Sequence, residues 1–144
     1  MTDAGTGPAD AVHLSERIAA PKDAVFEFLV DQDKLLRWIG ASANIDPMPG
    51  GVFWLNVTGD DIASGTYVEV EAPNRVAFTW GWEGNANVPP GSSTVTITLT
   101  TDGDHTVVDL YHAGLPDGDA DEHAMGWTHF LGQLTDQCHQ EGPR

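Results

Sequence analysis

The 144-residue chain fits one domain with a sizeable core, since a domain of this size buries roughly 68–70% of the surface its unfolded chain exposes. With 22 acidic against 6 basic residues, a net charge of −16, it lacks the clustered Lys and Arg that nucleic acid or an anionic membrane surface requires, so neither is an expected partner. A hydrophobic content of 40%, with five Trp and five Phe, excludes a disordered acidic tail, and no run approaches the ~18 apolar residues of a membrane-spanning helix.

Residues 1–11, MTDAGTGPADA, are small and polar and read as a flexible tail ahead of a single domain over 12–140. They carry no basic segment followed by an apolar one, so no signal peptide is expected there. The single cysteine, Cys138, makes no demand for an oxidising compartment, and the expected location is cytoplasmic. VHLSERI alternates as a strand until Pro21, which suits the first position of a helix carrying Val25, Phe26 and Leu29 at helical spacing. Asp31 is placed to cap a second short helix that presents Leu35, Trp38 and Ile39.

From residue 40 onward the pattern is that of strands: a weak one near 42–46, then VFWLNV, IASGTYVEVEA, RVAFTWGW, STVTITLTT and HTVVDLYHA, separated by Gly-, Asp-, Asn- and Pro-rich turns. Their alternation predicts an antiparallel sheet with one wet face. It puts Phe53, Leu55, Val76, Phe78, Trp80, Trp82, Val95, Ile97, Leu99, Val108, Leu110 and His112 inward. The same rule sets Val68 and Val70 against Glu69 and Glu71, and places Val52 and Trp54 outward. After Pro116, the stripe Ala124, Trp127, Leu131, Leu134, Cys138, widened by Phe130, predicts a final amphipathic helix.

That helix holds two histidines, but His123 and His129 are six residues apart, about 240° around the axis, and cannot share a metal. No metal or cofactor is expected. Cys138 lies in the apolar stripe and reads as a small buried hydrophobe. His112 is the one inward imidazole; it is either a satisfied core residue or an acid–base group, a weak catalytic candidate. Trp80 and Trp82 either fill the core or line a pocket with an indole N–H free for a ligand.

The motifs in order carry a resemblance. AAPKDAVFEFLV (19–30), Leu35-Leu36-Arg37-Trp38, Pro49-Gly50-Gly51-Val52-Phe53, Gly65–Val70 followed by Pro73–Trp80, His112-Ala113-Gly114-Leu115-Pro116 and Gly126-Trp127 with Leu131 are similar to the motifs of the START-like (SRPBCC) superfamily, in its activator-of-Hsp90-ATPase-homologue (AHSA1-like) branch. The match runs from residue 12 to about 135. The resemblance implies an α+β helix-grip (START/Bet v 1-like) fold: a curved antiparallel sheet of about six or seven strands around a long C-terminal helix, with two short helices after the first strand. It also implies a cavity between sheet and helix. Gly126 and Gly132 would then let the helix approach its neighbours closely, with its histidines mostly wet.

Superfamily members bind apolar molecules, act as cyclases, or assist Hsp90. The expectation is therefore a module for a small hydrophobic or aromatic ligand, contacted by Trp38, Phe53, Leu55, Phe78, Trp80, Trp82, Leu110, His112, Trp127 and Phe130. The alternatives are a protein-interaction or chaperone-cofactor module with a filled core, and a cyclase-type enzyme using His112. One departure stands out: position 54, usually polar in the family, is Trp54, which with Val52 makes an outward patch that is either a contact surface suited to a homodimer or covered by the helix 1–2 region or a loop.

Overall fold

The computed structural model describes residues 12–141; the expected tail, 1–11, lies outside the described residues. The elements are β1 (Val12–Ile18), α1 (Lys22–Val30), α2 (Gln32–Leu35), β2 (Ser42–Ile45), β3 (Val52–Asn56), β4 (Ile62–Glu71), β5 (Arg75–Trp80), β6 (Ser93–Asp102), β7 (His105–Ala113) and α3 (Asp117–Glu141). The seven strands form one antiparallel sheet in the order β1-β7-β6-β5-β4-β3-β2, so the chain returns its last strand to lie beside its first.

The inward side chains of the sheet form one core with α1 and α3. Trp127, Leu131, Leu134 and Cys138 of α3 are buried in the same cluster as Phe53, Leu55, Phe78, Ile97 and Leu110. Phe26, Phe28 and Leu29 of α1 join the same core. Burying such a side chain stabilises by about 1.5–3 kcal/mol, and these apolar stripes hold the helices to the sheet.

Local deviations follow from local chemistry. Pro21 is the N-cap of α1 and not its first residue; its extended ψ of 155° aims its carbonyl at Ala24 N–H and Val25 N–H. Asp31 caps α2 by accepting from Lys34 N–H at 3.0 Å. The second helix is shorter than its apolar pattern suggests: after Leu35 the chain tightens, with Arg37 N–H and Trp38 N–H bonded three residues back. In β4 a bulge between Tyr67 and Glu69 shifts the register against β5. Tyr67 therefore points inward and is buried, Val68 is 55% exposed, and the expected pairing of Val68 with Val70 on one face fails.

Past Trp80 the pairing of β4 with β5 continues as one bridge, Ala63 with Trp82. A Cβ on Gly81 would lie 1.8 Å from the Pro89 carbonyl oxygen, so only glycine lets the 83–92 loop fold back there. Trp82 N–H to Val88 O (2.7 Å) and Glu83 N–H to Ile62 O (2.9 Å) fix the start of that loop beside α3.

Candidate functional site

Aromatic rings meet where β5, β7 and the first half of α3 converge. Trp80 lies 5.2 Å from Trp127, 5.3 Å from Trp82 and 5.8 Å from His112, ring centre to ring centre. His112 lies 5.1 Å from His123. His123 stands four residues before Trp127, on the same face of α3, which is why both reach this cluster.

Donor and acceptor chemistry fixes both imidazoles. An indole nitrogen only donates and a carbonyl only accepts. Trp127 Nε1–H donates to His112 Nδ1 at 2.9 Å, so the His112 proton sits on Nε2. Ser93 Oγ gives its own proton to the Trp80 carbonyl at 2.8 Å, and so accepts from His112 Nε2–H at 2.8 Å. The result is a one-way chain: Trp127 to His112 to Ser93 to the Trp80 carbonyl. In the same way Trp82 Nε1–H donates to His123 Nε2 at 2.9 Å, which leaves Nδ1–H to donate to the Asp119 carbonyl at 2.8 Å. Burial, with a smaller contribution from the neighbouring His123 imidazole, pushes the pKa of His112 down to about 3.

Beside this cluster is a cleft of about 690 Å³. Its floor is Trp80, Trp82, Trp127 and Phe130, with Ile39 and Val57; its rim holds Asp61 from the β3–β4 turn, Glu83 from the 83–92 loop, and Asp119 and Glu122 from α3. Gly126 is part of the wall, and a Cβ there would meet nothing within 4 Å. The same holds for Gly132, so neither glycine serves a close helix approach, contrary to the sequence expectation. Gly126 faces an opening. His123 also departs from expectation, being half-buried in the cleft wall, while His129 is exposed as anticipated.

Of the ten residues expected at a cavity, Trp80, Trp82, Trp127 and Phe130 line this cleft. Trp38, Phe53, Leu55, Phe78 and Leu110 lie deeper, in the packed core; the first four border only a small void of about 10 Å³. Trp38 is further held by its Nε1–H, bonded to the Phe28 carbonyl at 2.8 Å. His112 is fully buried behind Trp80 and Trp127. Val52 is 41% exposed on the outer face of β3, with Trp54 half-buried on the same side. Sequence reasoning missed Asp61, Glu83, Asp119, Glu122 and Gly126, which come from turns and one helix face that only the fold brings together.

Chemically, the arrangement offers aromatic faces and carboxylates. Trp80 is 2% exposed, and its indole N–H has no partner among the described residues. Neither of the two imidazoles has a free nitrogen. Among the described residues no three His, Cys, Asp or Glu side chains are grouped to hold a metal ion, and no helix is long and apolar enough to cross a membrane.

A family model described as Activator of Hsp90 ATPase homolog 1-like protein matches residues 19–138. No match is found among curated proteins. Among solved structures, an AHSA1-like protein from Rhizobium etli is 44% identical, with a TM-score of 0.69 over 87% of this chain and 79% of its own. CalU16 from Micromonospora echinospora is 30% identical, with a TM-score of 0.71 over 86% and 73%. The Aha1 dimer from Colwellia psychrerythraea is 16% identical, with a TM-score of 0.73 over 89% and 95%, a likeness of fold.

Proposed function

The chain belongs to the Activator of Hsp90 ATPase homolog 1-like family, and on that premise we propose that it binds a small aromatic or apolar molecule in the cleft beside α3. The observation that carries the reading is the cleft itself: its volume of about 690 Å³ lies within the ~300–1,000 Å³ usual for ligand pockets. Its floor is aromatic, built from Trp80, Trp82, Trp127 and Phe130. The cytoplasmic location belongs to the same proposal and fits a lone buried thiol.

An acid–base role for His112 is left out, because both of its nitrogens are engaged and its pKa is pushed to about 3. The test is a thermal-shift screen of planar aromatic and apolar compounds, read together with quenching of tryptophan fluorescence. A ligand at a hundredfold excess over its Kd adds about 2.7 kcal/mol. A panel that moves neither the melting temperature nor the fluorescence refutes the reading.

A second reading, self-association or docking of a partner protein, is favoured by one observation. Val52 (41%) and Val68 (55%) are exposed on the outer face of β3 and β4, where Trp54 also stands. The Aha1 of Colwellia psychrerythraea is a dimer. Sedimentation of the chain beside Val52→Lys decides it: a dimer dissolved by the substitution supports the reading, and a monomeric wild type removes the homodimer.

A further inference from the structure

We propose, resting on the cleft as the binding site, that its ligand is an aromatic molecule bearing an amine, bound as the ammonium, and not a carboxylate or a phosphate. The charges around the cleft are of one sign. Asp61, Glu83, Asp119 and Glu122 surround it, and no Lys or Arg is among its lining residues. Four of the six basic side chains are engaged elsewhere: Arg17 with Asp102, Lys22 with Asn74, Lys34 with Glu27 and Arg75 with Glu69. His123, the one lining imidazole, accepts from Trp82 on one nitrogen and donates to a carbonyl from the other, so neither nitrogen is open to a ligand.

An anionic ligand entering here would lose water and meet carboxylates, with no Lys or Arg among the lining residues to offset them. An ammonium meets the opposite case. The rim attracts it, and the faces of Trp82 and Trp127 offer the electron-rich surface over which cations settle. The aromatic body fills the floor. Charge thus acts as a filter: the cleft admits aromatic amines and repels the aromatic acids of similar shape.

The experiment uses three probes of one shape, 2-naphthylmethylamine, 2-naphthylmethanol and 2-naphthoate, titrated by calorimetry into the full chain. The expected order is amine, alcohol, acid, with the amine about tenfold or more tighter than the acid at low salt and the gap narrowing at high salt. Since the whole chain is acidic, two double variants separate the rim from the bulk charge. Glu83→Gln with Glu122→Gln weakens the amine about threefold or more and leaves the alcohol within about twofold. Glu71→Gln with Asp104→Asn removes the same charge from exposed turns at the other end of the sheet and leaves the amine within about twofold. If the alcohol or acid binds as well as the amine, or the two double variants weaken the amine equally, the charge filter is wrong although the cleft binds. If none of the three probes binds, the cleft reading falls and takes this inference with it.

Discussion

Gly126 gives a direct way to separate the cleft's cost from its use. It sits inside a 25-residue helix, where glycine is about 0.8–1.0 kcal/mol worse than alanine, and no neighbouring atom requires it. Gly126→Ala is therefore expected to stabilise the protein by about 0.8–1.0 kcal/mol, a rise of roughly 2–4 °C in Tm for a chain of this size. Gly132→Ala, with equally open surroundings, is expected to give the same rise. The two positions then diverge. A leucine at 126 projects into the 690 Å³ cleft, keeps the helix as stable as alanine does, and weakens an aromatic ligand about tenfold or more. A leucine at 132, which does not line the cleft, leaves that affinity unchanged. The assays are thermal melts of the four variants and ligand titration of the two leucine variants. A lower Tm for Gly126→Ala would show that the helix needs glycine for close packing. An unchanged ligand affinity in Gly126→Leu would show that the cleft is not where the ligand sits.

The buried relay gives two further expectations. The folded pKa of His112, about 3, lies below its ordinary value of 6.5, so the unfolded chain binds the extra proton first as pH falls. Its contribution to stability is complete above pH 6.5 and is lost between 6.5 and about 3, with a slope approaching about 1.4 kcal/mol per pH unit. Comparing denaturant unfolding of wild type and His112→Gln at pH 6 and pH 5 (about one unit of that slope) should show a shallower loss in the variant; equal slopes would refute the burial account. Ser93→Ala strands both His112 Nε2–H and the Trp80 carbonyl, and is expected to cost about 1–3 kcal/mol by urea unfolding, where a serine without partners would cost a few tenths.

The strands and α3 could be read directly because their signal is periodic and local. STVTITLTT and HTVVDLYHA alternate without a break, and their inward residues Val95, Ile97, Leu99, Val108, Leu110 and His112 are all buried. The stripe from Trp127 to Cys138 is buried for the same reason. The bulge at Tyr67 escaped because a one-residue offset depends on how β4 pairs with β5, which alternation along β4 alone does not encode. The cleft escaped more fully. Asp61 and Glu122 are 61 positions apart and Glu83 lies between them, so their meeting is a product of topology. His123 was misread because its polarity suggests solvent, whereas Trp82, 41 positions away, supplies the donor that draws it inward.

The polar relay from α3 into the sheet also bears on how the helix finds its seat. Apolar contacts are non-directional, and a stripe of Trp, Leu and Cys could rotate or slide along the sheet and still bury similar area. The indole N–H of Trp127 and its imidazole acceptor have no such latitude: a displacement of α3 by an ångström or two leaves that donor without an acceptor, and His112 Nδ1 without a donor, inside the protein. Trp127 and His112 thus work like a key in its ward, selecting one azimuth and one height for α3. The mouth beside Gly126 keeps its shape because the helix carrying it can lock in only one position.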